Sequence, residues 1–183
     1  MLSGRPNRGP GGALASPNGF LEHADDIVLM KLASILPPGM VTAGLKANSK
    51  KQVLQELASL SSRGCGLDER DVYEALLQRE RLGSTGIGNG LAIPHGRFPR
   101  LERMFGVFAR LDRPVDFESV DGVPVDLVFV LLAPEGAGAD HLQGLARVAR
   151  LLRTPSVVQA LRSSRDAAAL YSILTQGDTP RAA

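Results

Sequence analysis

Cysteine is nearly missing from the chain: Cys65 stands alone among 183 residues. One thiol forms no internal disulfide and no cysteine metal cluster, and such usage fits a reducing cytoplasm. Tryptophan is absent and aromatic residues reach only 4%. A core therefore has to be built from Leu, Val, Ala and Ile, which supply most of the 44% hydrophobic content. Long apolar runs are missing too. The longest, residues 27–36, is interrupted by Lys31 and closed by Pro37 and Pro38, well short of the ~20 residues a spanning helix needs. Glu22, Asp25 and Asp26 precede it where a secretory leader carries basic residues, so no membrane insertion is expected. Charge of one sign is not massed anywhere. The 21 basic residues face 19 acidic ones, for a net +2 and an isoelectric point near 9.0. Without a block of five or six like charges, the chain carries no clear nucleic-acid footprint.

What is present suits one soluble domain with some excess length. Residues 1–29 are rich in Gly, Pro, Asn and Ser and lack periodicity, the composition of a flexible tail. His23 in that tail reads as incidental, and Met30 offers a second possible start. A single domain is expected over residues 30–176, with a short flexible tail over 177–183. Within it, residues 31–36 suggest a helical turn and 40–46 an edge strand. Ser49 caps a helix with Val53, Leu54, Leu57 and Leu60 on one face and Gly64 as its stop. Asp68 begins a second, burying Val72, Leu76 and Leu77 and ending at Gly83, with Arg79 in its last turn. Cys65 falls in the loop between them. Residues 91–93 are a short apolar segment, 104–111 and 125–133 are stronger strand candidates, and the second of these is apolar enough for a central strand. Asp140 is the expected cap of a helix over 141–153, with Leu142, Leu145, Ala146, Ala149 and Leu152 inward and His141 at its first position. Thr154 with Pro155 and Ser164 or Asp166 open two further helices. The pattern predicts an α/β fold, a mixed β-sheet flanked by α-helices in a single domain.

Residues 83–97, GSTGIGNGLAIPHGR, dominate the middle of the chain. Their glycines fit tight turns or a close approach to the backbone. They do not make a nucleotide loop: the spacing G-x-x-x-x-G-K-S/T is absent, and no lysine follows Lys51. Gly86, Gly88 and Gly90 also precede a strand candidate instead of linking a strand to a helix, which argues against a dinucleotide fingerprint. No nucleotide, cofactor or metal is expected. The histidines at 23, 95 and 141 include no close-spaced pair, and G-x-S-x-G, the nucleophile elbow of many hydrolases, does not occur.

His95 fits a nucleophile. Imidazole is largely neutral near pH 7, so a ring nitrogen can attack phosphorus and hold a labile phosphoryl group. Such transfer asks mainly for positioning and for balancing charge on the phosphoryl oxygens. Arg79 offers a forked cation, His141 a second donor at a helix start, and Gly96 and Arg97 backbone N–H groups. Each also has a plain structural role open to it: Arg79 as a helix C-terminal cation, His141 as a surface cap.

Four segments carry a family resemblance: SKKQVLQELA (49–58), LLQRERLGSTGIGNGLAIPHG (76–96), PVDLVFVLLAP (124–134) and HLQGLARVARLL (141–152). Together they closely resemble the type 2 enzyme IIA domains of the bacterial phosphoenolpyruvate-dependent phosphotransferase system, in their mannitol, fructose and nitrogen-regulatory forms. The resemblance covers roughly residues 30–176, and Leu91 stands where isoleucine is common. It implies a mixed sheet flanked by helices, with His95 phosphorylated by a histidine-containing phosphocarrier protein. His141 and Arg79 match the family's second active-site histidine and arginine, and Ser84 and Thr85 match the Ser-Thr pair beside that site.

The first segment and the stand-alone architecture look most like the nitrogen-regulatory form, whose members act as phosphorylation-controlled binding proteins toward transporters and kinases. No permease or downstream carrier sequence follows Ala183, as in a terminal regulator. A sugar-specific enzyme IIA passing phosphate to a IIB domain, and an interaction module indifferent to phosphorylation, stay open as alternatives.

Overall fold

A computed structural model describes residues 31–176. The tail over 1–29 with His23, the possible start at Met30 and the tail over 177–183 lie outside the described residues. Two single 3₁₀ turns, Leu32–Ser34 and Pro38–Met40, lead into strand β1, Val41–Leu45. Helices α1 (Lys50–Cys65) and α2 (Glu69–Arg81) follow, then three short strands, β2 (Gly86–Gly88), β3 (Leu91–Ala92) and β4 (His95–Phe98). The long strands β5 (Phe105–Val115) and β6 (Val125–Pro134) come next, and helices α3 (Gly138–Leu152), α4 (Pro155–Ser163) and α5 (Ala167–Thr175) complete the described chain. The six strands form one mixed sheet in the order β1-β5-β6-β3-β2, with β4 also paired to β6.

Strand β6 is the axis of that sheet. It runs antiparallel to β5 on one side and parallel to β3 and β4 on the other. Its side chains alternate faces, as strand geometry requires. Val128, Val130 and Leu132 point into a core built with Val53, Leu54 and Leu57 of α1 and Val72 and Leu76 of α2. Leu127, Phe129 and Leu131 point into a second core with Val148 and Leu152 of α3, Leu161 of α4 and Leu170 and Leu174 of α5. A strand covered on both faces is apolar nearly throughout, and in residues 125–133 only Asp126, paired with Arg162 near the start of the strand, departs from that pattern.

Most element boundaries follow their capping chemistry. The Ser49 hydroxyl accepts from the Gln52 amide, the Asp68 carboxylate from Arg70 and Asp71, and the Asp166 carboxylate from Ala169. Helix α1 passes Gly64 and ends one residue beyond it, at Cys65. The stop is Gly66, whose φ of 73° is the left-handed conformation that glycine adopts without a Cβ clash. Cys65 is therefore the last helical residue, where burial pushes its thiol up. Residues 113–124, whose composition suits turns, add no helix or further strand: β5 runs on to Val115, and the remainder is a loop with a turn at Val120–Asp121.

Two differences reshape the site. Residues 83–97 hold strands as well as the turns their glycines suggest. Gly86–Gly88 and Leu91–Ala92 pair as a small antiparallel hairpin, and His95–Phe98 is a strand. The edge of β6 selects this arrangement: Leu91 lies opposite Leu127 and His95 opposite Leu131, so β3 and β4 form one extended run in unchanged register. Pro94, which has no N–H to donate, marks the break between them. Helix α3, in turn, starts at Gly138, before the expected cap Asp140. Its inward face is His141, Gly144, Val148 and Leu152, whereas Leu142 is 68% exposed and Ala146 also faces out.

Candidate functional site

The C-terminal end of α2, the start of β4 and the first turns of α3 meet at His95. Its two ring nitrogens have separate partners. Nδ1 lies 2.8 Å from the Ile93 carbonyl, and Nε2 lies 3.0 Å from Arg79 Nε. A carbonyl only accepts and an arginine N–H only donates, so the pair of contacts assigns the tautomer: Nδ1 carries the proton and Nε2 the lone pair. Burial holds this imidazole below its ordinary pKa. The Ile93 carbonyl opposes that shift, the Arg79 guanidinium reinforces it, and the Glu80 carboxylate opposes it again. Near pH 7 His95 is accordingly neutral, with a nucleophilic nitrogen facing a fixed cation.

Arg79 is held as well as holding. Its Nη1 donates to the Gly83 carbonyl at 2.9 Å, which fixes the guanidinium in the turn after α2. His141 comes from the other side, its ring centroid 5.5 Å from that of His95 with the planes tilted by 59°. It does not occupy the first helical position: its backbone N–H already donates to the Ala137 carbonyl at 2.8 Å. Its contribution is the ring alone. His141 Nε2 is buried with no hydrogen-bond partner among the described residues. Burial lowers this imidazole's pKa too, with the neighbouring His95 and the Arg97 guanidinium adding to the effect. A buried ring nitrogen without a partner, beside a nucleophile, is placed for an incoming ligand oxygen.

Gly96 and Arg97 lie in β4 opposite Leu132 and Ala133, with the Arg97 side chain exposed. The lack of a side chain at Gly96 leaves room for the Phe98 ring, which a Cβ there would meet at 3.2 Å. Ser84 and Thr85 spend their hydroxyls inside the protein. Ser84 Oγ donates to the Phe117 carbonyl and accepts from the Gly86 amide, and Thr85 Oγ1 donates to the Glu80 carboxylate. Arg79, His95 and His141 thus converge, Gly96 and Arg97 follow on the same strand, and the Ser-Thr pair braces the turn between α2 and β2.

Sequence reasoning missed Glu80. Its side chain is only 2% exposed and lies 3.3 Å from Lys50 Nζ, and its Oε2 accepts from the Thr85 amide at 3.0 Å. A signal was available: a carboxylate in the last turn of a helix opposes the macrodipole, so it needs a compensating partner nearby. Among the described residues no three His, Cys, Asp or Glu side chains cluster as metal ligands would, and no helix is long and apolar enough to cross a membrane.

A six-stranded mixed sheet that holds a neutral, arginine-facing histidine beside a second histidine defines a histidine-centred α/β protein. Residues 34–177 match the family Phosphoenolpyruvate-dependent sugar phosphotransferase system, EIIA 2, and the chain belongs to that family. It is 61% identical over 145 residues to a nitrogen regulatory protein of Bradyrhizobium diazoefficiens, covering 79% of this chain and 95% of the relative. A nitrogen regulatory protein of Pseudomonas aeruginosa is 44% identical over 147 residues, 80% of this chain and 96% of its own. Among solved structures, the nitrogen regulatory protein IIA-Ntr from Neisseria meningitidis superposes with a TM-score of 0.75 at 39% identity, covering 79% of this chain and 99% of that one.

Proposed function

We propose that His95 Nε2 accepts a phosphoryl group from a histidine-containing phosphocarrier protein, and that the chain is a regulator whose binding to transporter or kinase proteins depends on that phosphate. The observation that carries this reading is the Arg79 Nε to His95 Nε2 contact at 3.0 Å, with Nδ1 tied to the Ile93 carbonyl. It leaves the nucleophilic lone pair on the nitrogen that faces the cation.

In the transfer, a bond forms between His95 Nε2 and phosphorus while the bond from phosphorus to the donor's histidine nitrogen breaks, and that nitrogen keeps the electron pair. Arg79 balances charge on the phosphoryl oxygens as they arrive. His141, whose Nε2 lacks a partner, contributes a donor to one of those oxygens once protonated. Arg97 adds its cation at the rim, whereas the Gly96 N–H, expected as a phosphate donor, is turned toward β6 by the ladder that pairs Gly96 with Leu132. Ser84 and Thr85 act by holding the turn that orients Arg79.

A phosphohistidine replaces a neutral ring with about −2 charge and three acceptor oxygens, which is enough to switch a protein contact. High identity to nitrogen regulatory proteins supports the regulatory assignment over a sugar-specific carrier. Affinity capture with the phosphorylated and unphosphorylated protein tests it. Partners that bind one form only are expected. Equal capture by both forms contradicts the regulator, and rapid onward transfer to a IIB domain reassigns the chain as a sugar carrier.

A further inference from the structure

We infer that Glu80 is a positioning residue for His95: its buried carboxylate roots one of the two hydrogen-bonded arms that grip the imidazole nitrogens, and its backbone carbonyl roots the other. One arm runs through Thr85. The Glu80 carboxylate accepts from both the amide and the hydroxyl of Thr85. The Thr85 carbonyl accepts from the Ile93 amide at 2.9 Å, and the Ile93 carbonyl takes the proton of His95 Nδ1 at 2.8 Å. The other arm runs back through the helix end. The Gly83 amide donates to the Glu80 backbone carbonyl at 3.2 Å, the Gly83 carbonyl anchors Arg79 Nη1 at 2.9 Å, and Arg79 Nε reaches His95 Nε2 at 3.0 Å.

The two arms close a ring, and Glu80 is where they meet. Its position is fixed from outside the ring by Lys50 of α1, at 3.3 Å. Lys50 also pairs with Glu118 of the loop between β5 and β6. A buried carboxylate is costly unless its partners hold it well. Here those partners are the segment that must not move if the tautomer of His95 is to be fixed. Glu80 bonds neither the reacting nitrogen nor an incoming phosphoryl group; it positions the ring through Thr85, Ile93, Gly83 and Arg79, beside the direct effect of its charge on the His95 pKa.

The inference rests on His95 as the phosphoryl acceptor for its functional part, while its structural part can be read without any transfer. The test uses the full chain labelled with ¹⁵N-histidine, as wild type and as Glu80→Gln, Thr85→Val and Thr85→Ser. Ring ¹⁵N shifts of the wild type are expected to show a protonated Nδ1 and an unprotonated Nε2 on His95. Thr85→Val, close to isosteric but lacking the hydroxyl donor, and Glu80→Gln should each give a mixed tautomer. Thr85→Ser, which keeps the amide and the hydroxyl, should restore the wild-type pattern. In phosphorylation kinetics the same two defective variants should lose kcat by on the order of 10- to 100-fold with KM for the phosphocarrier unchanged, as misorientation of a reacting group does.

Should Glu80→Gln fail to give a folded amide spectrum, Thr85→Val and its serine rescue decide the matter. A wild-type tautomer and wild-type kcat in folded Thr85→Val overturn the inference, as does a Thr85→Ser variant as defective as the valine. If wild-type protein accepts no phosphoryl group at all, the functional proposal fails, and the ring ¹⁵N pattern still judges Glu80 by itself.

Discussion

Gly144 of α3 lies against Leu131 of β6 so closely that a Cβ on residue 144 would stand 3.3 Å from Leu131 Cδ2, with Met104 Sδ at 3.0 Å. Leu131 is the residue opposite His95 in the β4–β6 ladder, and His141 lies one helical turn before Gly144. The small residue therefore sets the depth at which α3 docks, and with it the 5.5 Å separation of the two imidazoles.

Gly144→Leu should push α3 outward. Overpacking of this kind costs about 1–3 kcal/mol, and the His95–His141 ring contact should open, slowing phosphorylation. Leu142→Gln, on the exposed side of the same helix, should change stability by no more than about 0.5 kcal/mol. Denaturant midpoints of the two variants check the difference, and equal destabilisation by both would contradict the assigned helix face.

Acid should weaken both fold and function. His95 and His141 each bind a proton more weakly in the folded protein than an ordinary imidazole, chiefly because both are buried. Between those lowered values and about 6.5 the unfolded chain takes up more protons, so stability falls as pH drops through that window. Phosphorylation of His95 should hold its plateau down to about pH 6.5, the ordinary imidazole value, and decline only below it, as the pH reaches the lowered pKa and the nucleophile gains a proton. A folded-state NMR titration placing either histidine above 6.5 would reverse the sign and refute this. Once His95 carries phosphate, the nearby negative charge should raise the His141 value, an upward shift readable in the same spectra.

Arg79→Ala should raise the pKa of His95, because the guanidinium is one of the influences that depress it. The phosphorylation rate should fall as well, and the amide spectrum should stay that of a folded protein, since Arg79 is only partly buried in the last turn of α2. Arg79→Lys should restore the charge without the fork that bonds His95 and the Gly83 carbonyl together, so recovery should be partial. A lysine variant with full wild-type rate would show that charge alone suffices.

The parts of this fold that were legible in the sequence are those dictated locally. Caps at Ser49, Asp68 and Asp166 and the apolar run from Leu127 to Ala133 of β6 each announce their element within a few residues. The strand character of His95–Phe98 has no such local sign, because glycine and proline around it mask strand propensity. It arises from a free edge of β6, a partner more than thirty residues away in sequence. Helix α3 misled for a related reason. Residues 142, 145, 146, 149 and 152 make a plausible apolar stripe, but the sheet accepts the face carrying Gly144, where the backbone can come closest. The convergence of Arg79, His95 and His141 was readable as a set of residue types and a family likeness, while the bracing by Glu80 required the third dimension.

His95 is proposed as the residue that takes up phosphate. Incubating the protein with radiolabelled phosphoenolpyruvate and the general enzymes of the phosphotransferase system tests it most directly. Acid-labile label is predicted on the wild type, mapping to the peptide that contains His95, and none on His95→Ala. Label entering His95→Ala at the wild-type rate, or label stable to acid, would contradict the account.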